Sequence, residues 1–211
     1  MGDSIRTIKP YKLPADDQAL QLIRDSGGII RTSEALKKGI HPRVMYLLRD
    51  SGRLEQLHRG LYRVPGEETL TNPDLVIVAV KVPRAVISLV SALAFHGITT
   101  RVPGSVSIAL PRNHDTPRLD APSIAVHRFS EHSYQEGIEE HLVDGVTVRV
   151  YNPEKTIADC FKFRNKIDKE VLIEAMQLYR LRLEPDREKL LNYARICRVE
   201  RTITPYLDIL L

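Results

Sequence analysis

The sequence contains few cysteines and few aromatic residues. It has two cysteines, no tryptophan and 6% aromatic residues among 211 positions. Cys160 and Cys197 lie far apart within helical patterns, and no secretory signal is recognisable. This distribution predicts reduced, buried thiols in a cytoplasmic protein, with one structural disulfide as the minor alternative.

Long apolar runs are also missing. The most apolar segment, Leu75 to Phe95, is interrupted by Lys81, Pro83 and Arg84. A membrane-spanning helix needs roughly 20 predominantly apolar residues. We therefore expect no membrane role.

Motifs of catalytic and cofactor sites are absent as well. The sequence contains no Gly-rich phosphate loop, no GxSxG elbow and no cysteine in a recognisable histidine setting, and its seven histidines lack zinc-finger or HExxH spacing. A nuclease centre built from Asp115, Asp120 and Glu154 remains an alternative that the spacing does not support. We expect neither an enzyme nor a bound metal or cofactor.

The positive charge of the chain is concentrated in one segment. Between Arg31 and Arg63, eight basic residues face three acidic ones, a net charge of +5, whereas the whole chain carries +4. The remainder is therefore close to neutral. Such a concentration is typical of a nucleic-acid-binding surface, although a solvated basic face or a protein contact is the alternative.

The same segment has the pattern of a helix-turn-helix. Thr32 is placed to cap a short helix, Ser33 to Lys38, which Gly39 ends. His41-Pro42 then starts a second helix that runs to about Asp50. The second helix is predicted to be the recognition helix of a DNA-binding domain.

The recognition helix divides into two faces. Three apolar residues share one side at helical spacing and are predicted to face the core: Val44, Leu47 and Leu48. Arg43, Tyr46 and Arg49 remain for the side or flanks that can face a groove.

A hairpin follows, from Leu54–His58 to Leu61–Val64 through Arg59-Gly60. A preceding helix runs from Asp16, its predicted cap, to Arg24, with Leu20 and Ile23 on its inner face, and a short Ile29-Ile30 strand follows it. Together with the hairpin, these elements complete a winged helix-turn-helix. The residues predicted to contact DNA are Arg31, Thr32, Lys37, Lys38, His41, Arg43, Tyr46, Arg49, Arg53, His58, Arg59 and Arg63.

Composition suggests three parts of the chain. Residues 1–14 carry three basic residues and two prolines without periodicity, which predicts a flexible arm. The winged helix-turn-helix would occupy residues 15–66. A turn-rich, acidic stretch from Pro65 to Pro73 marks a boundary near residue 70. Residues 71–211 would then form a second domain.

The second domain begins with an apolar run, residues 74–82, that fits either a helix or a buried strand. A helix is predicted from Ser88 to His96. The predicted strands are Ser105–Leu110, Ser123–Phe129, Ile138–Val143 and Val146–Tyr151. Asp144-Gly145 between the last two predicts a two-residue hairpin turn that sets Glu140 opposite Arg149.

The remainder of the chain has helical patterns. Predicted helices begin at Asn152-Pro153, Asp168, Asp186 and about Thr204, and the first would bury Ile157, Cys160 and Phe161. The predicted fold class is therefore α+β: an N-terminal winged helix-turn-helix, then a C-terminal domain with a small, mainly antiparallel sheet and several helices.

The order of these motifs resembles the AbiEi antitoxin family, the antitoxins and transcriptional regulators of AbiE abortive-infection systems, which are type IV toxin-antitoxin modules. Four segments carry the resemblance: Gly28-Ile29-Ile30 with Thr32-Ser33-Glu34-Ala35, the hairpin Leu57–Val64, SALAFHG from Ser91 to Gly97, and NPEKTIADCF from Asn152 to Phe161. Ser91, His96, Thr156 and Asp159 match family positions. For each of them a purely structural role is the alternative: packing within helices for Ser91 and Thr156, a helix cap for His96 and a backbone bond for Asp159.

The resemblance implies a function for each part. The N-terminal domain would bind double-stranded DNA at inverted repeats in the promoter of its own operon, as an autorepressor. The C-terminal domain would act as the antitoxin or regulatory part and help to neutralise a cognate nucleotidyltransferase-like toxin. The alternatives are a stand-alone regulator whose C-terminal domain binds a small-molecule or protein effector, and a nuclease targeted by its winged helix.

Overall fold

A computed structural model describes residues 14–66 and 71–210. The chain divides into two compact units, Met1–Leu70 and Thr71–Leu211, called here the N-terminal and C-terminal units. The predicted arm, residues 1–14, lies outside the described residues except for Pro14.

The N-terminal unit has the element order expected of a winged helix-turn-helix. Its elements are α1 (Ala15–Arg24), β1 (Ile29–Arg31), α2 (Thr32–Lys37), α3 (Pro42–Asp50), β2 (Glu55–His58) and β3 (Leu61–Arg63). β3 lies between β1 and β2, and both pairings are antiparallel. The short strand before α2 therefore pairs with the β2–β3 hairpin, which we call the wing.

Every element of this unit except β2 contributes to one apolar core. Its buried members include Leu20, Ile23, Ile30, Ala35, Met45, Leu48, Leu54 and Tyr62. Burying one large aliphatic side chain contributes about 1.5–3 kcal/mol, so this small cluster is what holds the three helices against the sheet. The predicted inner face of α1, Leu20 and Ile23, is confirmed.

The start of α1 differs from the prediction. The helix begins at Ala15, and no side chain caps it, so the predicted capping role of Asp16 is wrong. Asp16 and Asp17 lie in the first turn, where carboxylates interact favourably with the helix dipole. Both bind Arg53.

The C-terminal unit is a second α+β arrangement. Its elements are α4 (Pro73–Lys81), β4 (Val86–Ile87), α5 (Leu89–Phe95), β5 (Val106–Pro111), β6 (Ile124–Phe129), α6 (Glu131–Gln135), β7 (Ile138–Val143), β8 (Val146–Tyr151), α7 (Pro153–Lys162), α8 (Lys169–Arg182), α9 (Arg187–Cys197) and α10 (Glu200–Leu210). The ambiguous apolar run is the helix α4. Its buried residues, Leu75, Val76, Val78 and Val80, lie on several sides, which explains why periodicity could not decide.

The predicted hairpin is confirmed in type and in register. Asp144 and Gly145 have φ values of 48° and 75°, as a two-residue turn with two left-handed residues requires. Glu140 lies opposite Arg149.

The sheet of this unit is mixed, with strand order β6-β5-β4-β8-β7. β4 is antiparallel to β5 and parallel to β8, while β5 and β6 are parallel. The expected mainly antiparallel arrangement therefore holds for only two of the four described pairings. Because β5 and β6 are parallel, the chain must cross from the end of β5 back to the beginning of β6, and residues 112–123 make this connection.

The helices that follow largely agree with the sequence pattern. Asn152 caps α7 and Asp186 caps α9 through their side chains. α10 begins at Glu200, earlier than the predicted Thr204, and Pro205 lies inside the helix, where proline is normally disfavoured.

The thiols of Cys160 and Cys197 are free and buried, which confirms the prediction of unpaired cysteines. Burial raises the pKa of the Cys197 thiol to about 12. Among the described helices, none combines the length and the apolar character needed to cross a bilayer.

Candidate nucleic-acid interface

The turn between α2 and α3 is fixed by local chemistry. Gly39 ends α2 with φ of 81°, a left-handed conformation that glycine adopts without a Cβ clash. His41 then caps α3, because its Nδ1 accepts a hydrogen bond from the backbone N–H of Arg43 at 3.2 Å. Pro42 occupies the first helical position, as predicted. His41 therefore orients the recognition helix.

The face of α3 that meets the core differs from the predicted one. Met45 and Leu48 are buried, and Val44 is partly buried. Leu47, predicted for the core, is 58% exposed. The predicted placement of Leu47 is wrong, because the inner face consists of Val44, Met45 and Leu48 and is therefore turned by roughly 50°, about half a residue, from the predicted face.

Three side chains consequently face outward from the first two turns of α3: Arg43, Tyr46 and Leu47. They occupy positions i, i+3 and i+4, so they form one stripe on the side opposite Met45 and Leu48. Sequence reasoning found Arg43 and Tyr46 but missed Leu47. Met45 was the available signal: Met45 and Leu48 also lie on one side of the helix, and choosing that side as the inner face leaves Leu47 exposed.

Arg49 is held by its own helix. Its Nε lies 2.8 Å from Oδ1 of Asp50, and its guanidinium stacks over the Tyr46 ring at 5.1 Å from the centroid. The hydrogen bond to Asp50 raises the pKa of the Arg49 guanidinium. Contact of Arg49 with DNA stays a prediction, and such a contact would compete with Asp50.

Arg53 links two parts of the N-terminal unit. Its guanidinium donates to Asp16 Oδ2 at 2.6 Å and also to Asp17, so the segment after α3 is joined to the start of α1. These carboxylates balance the charge of Arg53 within the unit. The structure thus gives Arg53 a structural role that its prediction as a DNA contact did not include.

The wing carries a mixture of paired and outward-facing residues. Arg63 Nε donates to Glu55 across the β2–β3 pairing at 2.6 Å. Arg59 is exposed at the tip beside Gly60, whose φ of 76° makes the turn. His58 is partly buried before the tip.

Thr32 connects the wing to α2 through its backbone. Its N–H donates to the carbonyl of Gly60 at 3.0 Å. Thr32 is the first residue of α2 and Arg31 takes the N-cap position, with no side-chain cap bond. The predicted capping by Thr32 is therefore wrong, and its contact with DNA stays a prediction.

The remaining predicted contacts lie on α2 and at the end of β1. Lys37 and Lys38 are exposed where α2 ends, and Arg31 is partly buried. Within residues 14–66, neither lysine forms an ion pair, and the same is true of Arg43. The side chains available to phosphates without breaking an internal ion pair thus include Lys37, Lys38 and Arg43.

Residues of the C-terminal unit that match the resemblance have structural contacts. The Ser91 hydroxyl donates to the carbonyl of Ser105 and accepts from the N–H of Ser107. His96 Nε2 lies 2.7 Å from the carbonyl oxygen of Tyr151. Ser91 thereby connects α5 to β5, and His96 connects it to the end of β8.

Two further matching residues lie on α7. The Thr156 hydroxyl donates to the carbonyl of Tyr151 at 3.1 Å. Asp159 accepts from Lys155 Nζ at 2.5 Å and from the Cys197 thiol at 3.1 Å, so its predicted backbone bond is wrong.

The carboxylates considered for a nuclease centre have different surroundings. Glu154 is buried on α7, accepts a hydrogen bond from the Tyr179 hydroxyl at 2.8 Å and lies 2.9 Å from Lys189 Nζ. Asp115 and Asp120 lie exposed on the loop between β5 and β6. In the described parts of the chain, no three or more His, Cys, Asp or Glu side chains are placed to hold a metal ion.

Comparison with known proteins adds two findings. Over nearly its whole length, the fold is similar to the crystal structure of the RV2827C protein from Mycobacterium tuberculosis, with a TM-score of 0.60, 16% identity, and coverage of 87% of this chain and 72% of that one. No curated protein gives a significant match. Residues 17–65 match the family model described as "Transcriptional regulator, AbiEi antitoxin". This match confirms the predicted resemblance over residues 17–65, which are similar to the transcriptional-regulator domain of AbiEi antitoxins.

Proposed function

We propose that this protein is a DNA-binding transcriptional repressor of its own operon and the antitoxin of a type IV-like module. The observation that carries the DNA-binding part is the outward stripe of α3, with Arg43 in its first turn and Lys37 and Lys38 ending the preceding helix. None of these three side chains forms an ion pair within residues 14–66. The family match over residues 17–65 supports the same role.

The geometry suits a major groove. The groove of B-DNA is about 12 Å wide and admits one α-helix, whose N-terminal residues reach the base edges. With α3 in this position, Arg43 and Tyr46 approach the bases, while Lys37 and Lys38 approach the sugar-phosphate backbone. Arg59, exposed at the tip of the wing, is placed for a phosphate or a minor groove.

One such domain covers few base pairs, so selectivity requires paired half-sites. We therefore propose that the operator is an inverted repeat bound by two copies. The predicted contacts to phosphates make the affinity depend steeply on salt, since each neutralised phosphate releases about one counterion.

DNase I footprinting of the full chain on the DNA upstream of its own gene tests autoregulation. The expected result is protection of two repeated half-sites, lost in Arg43→Ala. Arg118→Ala, which removes an exposed charge from the C-terminal unit, is the matched control and should protect normally. Binding of upstream DNA and random DNA with equal affinity, without a discrete footprint, would contradict the proposal.

The antitoxin part rests on the description of the family that residues 17–65 match. We assign it to the C-terminal unit, as the resemblance implies. The proposed target is a nucleotidyltransferase-like toxin encoded next to this gene, and the protein acts by binding, without catalysing a reaction. The test is growth of cells that express the neighbouring toxin-like gene. Co-expression of the full chain should restore growth, and so should Arg43→Ala, which separates this activity from repression. Unrelieved growth arrest in both strains would remove the antitoxin role.

A second candidate is a stand-alone regulator with a small-molecule effector. A cavity of about 310 Å³ in the C-terminal unit favours it, lined by residues that include Asp74, Phe95, Ser105 and Pro122. Its size is at the lower limit for small-molecule sites. A metabolite that raises the melting temperature of the full chain and changes its operator affinity, with both effects lost in Phe95→Ala, would support this candidate.

A further inference from the structure

The outward stripe of α3 contains an apolar side chain that the fold does not use. Leu47 is 58% exposed, and the core beneath the helix is completed by Met45 and Leu48. Exposure of a single leucine is common and needs no explanation by itself. Leu47 is notable because it lies beside Tyr46, itself 49% exposed, in the middle of the proposed DNA-binding face.

The position of Leu47 along the helix sets its depth in a groove. Arg43 lies one turn before it on the same face, at the end of α3 that enters first, and Asp50 lies about one turn after it. Asp50 is engaged by Arg49, so its negative charge is compensated at the far end of the helix. Leu47 therefore lies between the N-terminal end of α3, which enters the groove first, and the C-terminal end of the helix at Asp50.

The charge of this face selects the occupant. Two copies of the chain that met on this face would bring their Arg43 side chains together, and the exposed Lys37 and Lys38 precede Arg43 by only a few residues. A groove flanked by phosphates neutralises them instead. An apolar residue flanked by these cations fits DNA better than it fits a second copy.

The major groove offers one apolar group, the C5-methyl group of thymine. We propose that Leu47 is a specificity-determining residue that contacts a thymine methyl group in each half-site; this inference rests on the DNA-binding function proposed above. Lys37 and Lys38 supply sequence-independent attraction, and Arg43, which approaches the bases at the entering end of α3, positions the helix. Leu47 then distinguishes thymine from cytosine and from uracil, which lack the methyl group.

The expected change in affinity follows from the apolar area that is removed from water when one methyl group is buried. Burying one such group is worth about 0.8 kcal/mol, which corresponds to roughly a fourfold change in affinity per contact. Leu47→Ala should lose this preference without unfolding the domain, because the side chain contributes little to the core.

The experiment uses the full chain and a duplex selected by it from a randomised library. Each thymine of that duplex is replaced in turn by deoxyuridine, which removes the methyl group and keeps base pairing. The unmodified protein should bind about fourfold more weakly when the single replaced thymine is the one that Leu47 contacts in either half-site. Leu47→Ala should bind the thymine and uracil duplexes equally well, while Leu36→Ala, which removes a leucine that is 50% exposed on α2, should keep the preference.

The outcomes separate this inference from the proposed function. Specific binding that is unaffected by every uracil substitution, or a uracil effect that persists in Leu47→Ala, would overturn the thymine contact and leave DNA binding in place. Dissociation of a dimer by Leu47→Ala in the absence of DNA would assign Leu47 to a protein interface and overturn the contact as well. Failure to select any sequence, with no affinity for duplex DNA, would overturn both.

Discussion

One group of charged side chains in each unit can be compared, and the two groups differ in burial. In the N-terminal unit, Lys37, Lys38 and Arg43 are exposed. In the C-terminal unit, Lys155 and Asp159 are fully buried as an ion pair on α7. Exposed charges can be changed at little cost in stability, whereas buried charges must be solvated by the protein itself. The comparison therefore separates charges that are available for the proposed DNA binding from charges that are part of a folded core.

The buried pair is surrounded by groups that replace water. Lys155 Nζ lies 4.2 Å from the centroid of the Tyr151 ring and 5.0 Å from that of Phe129. Asp159 accepts a second hydrogen bond from the Cys197 thiol. Burial raises the pKa of the Asp159 carboxyl, and the Lys155 ammonium opposes that shift. Each partner thus depends on the other.

The largest effect is expected from breaking this pair. Lys155→Met keeps most of the side-chain volume but leaves Asp159 without its counter-ion, so the free energy of unfolding of the C-terminal unit should fall by about 3–5 kcal/mol. Urea denaturation followed by circular dichroism measures this. Lys155→Met combined with Asp159→Leu should recover much of the loss, because two apolar groups then replace the pair. A single variant as stable as the original protein would show that the pair does not define the fold.

A smaller effect is expected at the tip of the wing. Gly60 has φ of 76°, and a Cβ there would lie 3.4 Å from Thr32 Oγ1. A β-branched side chain resists this conformation, so Gly60→Val should lower the stability of the N-terminal unit by about 1–2 kcal/mol and weaken DNA binding. Gly60→Asn, which tolerates the left-handed region, is the control and should fold almost normally. Equal stability of both variants would indicate that the turn can change shape.

The two units also differ in how far the sequence predicted them. The N-terminal unit is built from short-range signals: Gly39, the His41-Pro42 cap and the Arg59-Gly60 turn each act within a few residues. Its order of elements was therefore predictable. The error at Leu47 arose because two apolar registers, one with Val44 and one with Met45, were available in the same nine-residue helix.

The C-terminal unit depends on contacts that sequence patterns do not record. β4 has only two residues, too few to show alternation, yet it lies at the centre of the sheet. Lys155 and Asp159 have the i, i+4 spacing of a surface ion pair, but in the fold the Phe129 and Tyr151 rings and the Cys197 thiol surround them. Local patterns identify the elements, but these contacts decide their pairing and burial.

The candidate interface was predictable in outline only. Counting charges identified the basic segment, but it treated all eight basic residues as equivalent. Asp16 and Asp17, far from Arg53 in the sequence, compensate its charge in the fold. Partners at such separation cannot be recognised from composition.

This distinction can be tested within the N-terminal unit alone. Lys37→Ala combined with Lys38→Ala should leave the melting temperature unchanged and reduce the slope of log affinity against log salt by roughly two units. Arg53→Ala should do the reverse, with a modest loss of stability and an unchanged slope, since its guanidinium binds Asp16 and Asp17. Identical behaviour of the two variants in both measurements would mean that an internal ion pair does not distinguish a residue that stabilises the fold from one that contacts DNA.

The smallest effect is a dependence of stability on pH in the C-terminal unit. Burial lowers the pKa of the His96 imidazole from its ordinary value of 6.5, and burial has the same effect on His127. On acidification the unfolded chain therefore takes up these protons before the folded chain does. The free energy of unfolding should be fully retained above pH 6.5 and should fall as the pH drops below it.

His96→Gln, whose amide can still donate to the Tyr151 carbonyl, should show a shallower fall between pH 7.5 and 5.5 in urea denaturation. His132→Gln is the matched control at a side chain that is 73% exposed, and it should keep the original profile. A steeper fall in His96→Gln than in the original protein would reverse the sign and show that the fold binds the protonated imidazole.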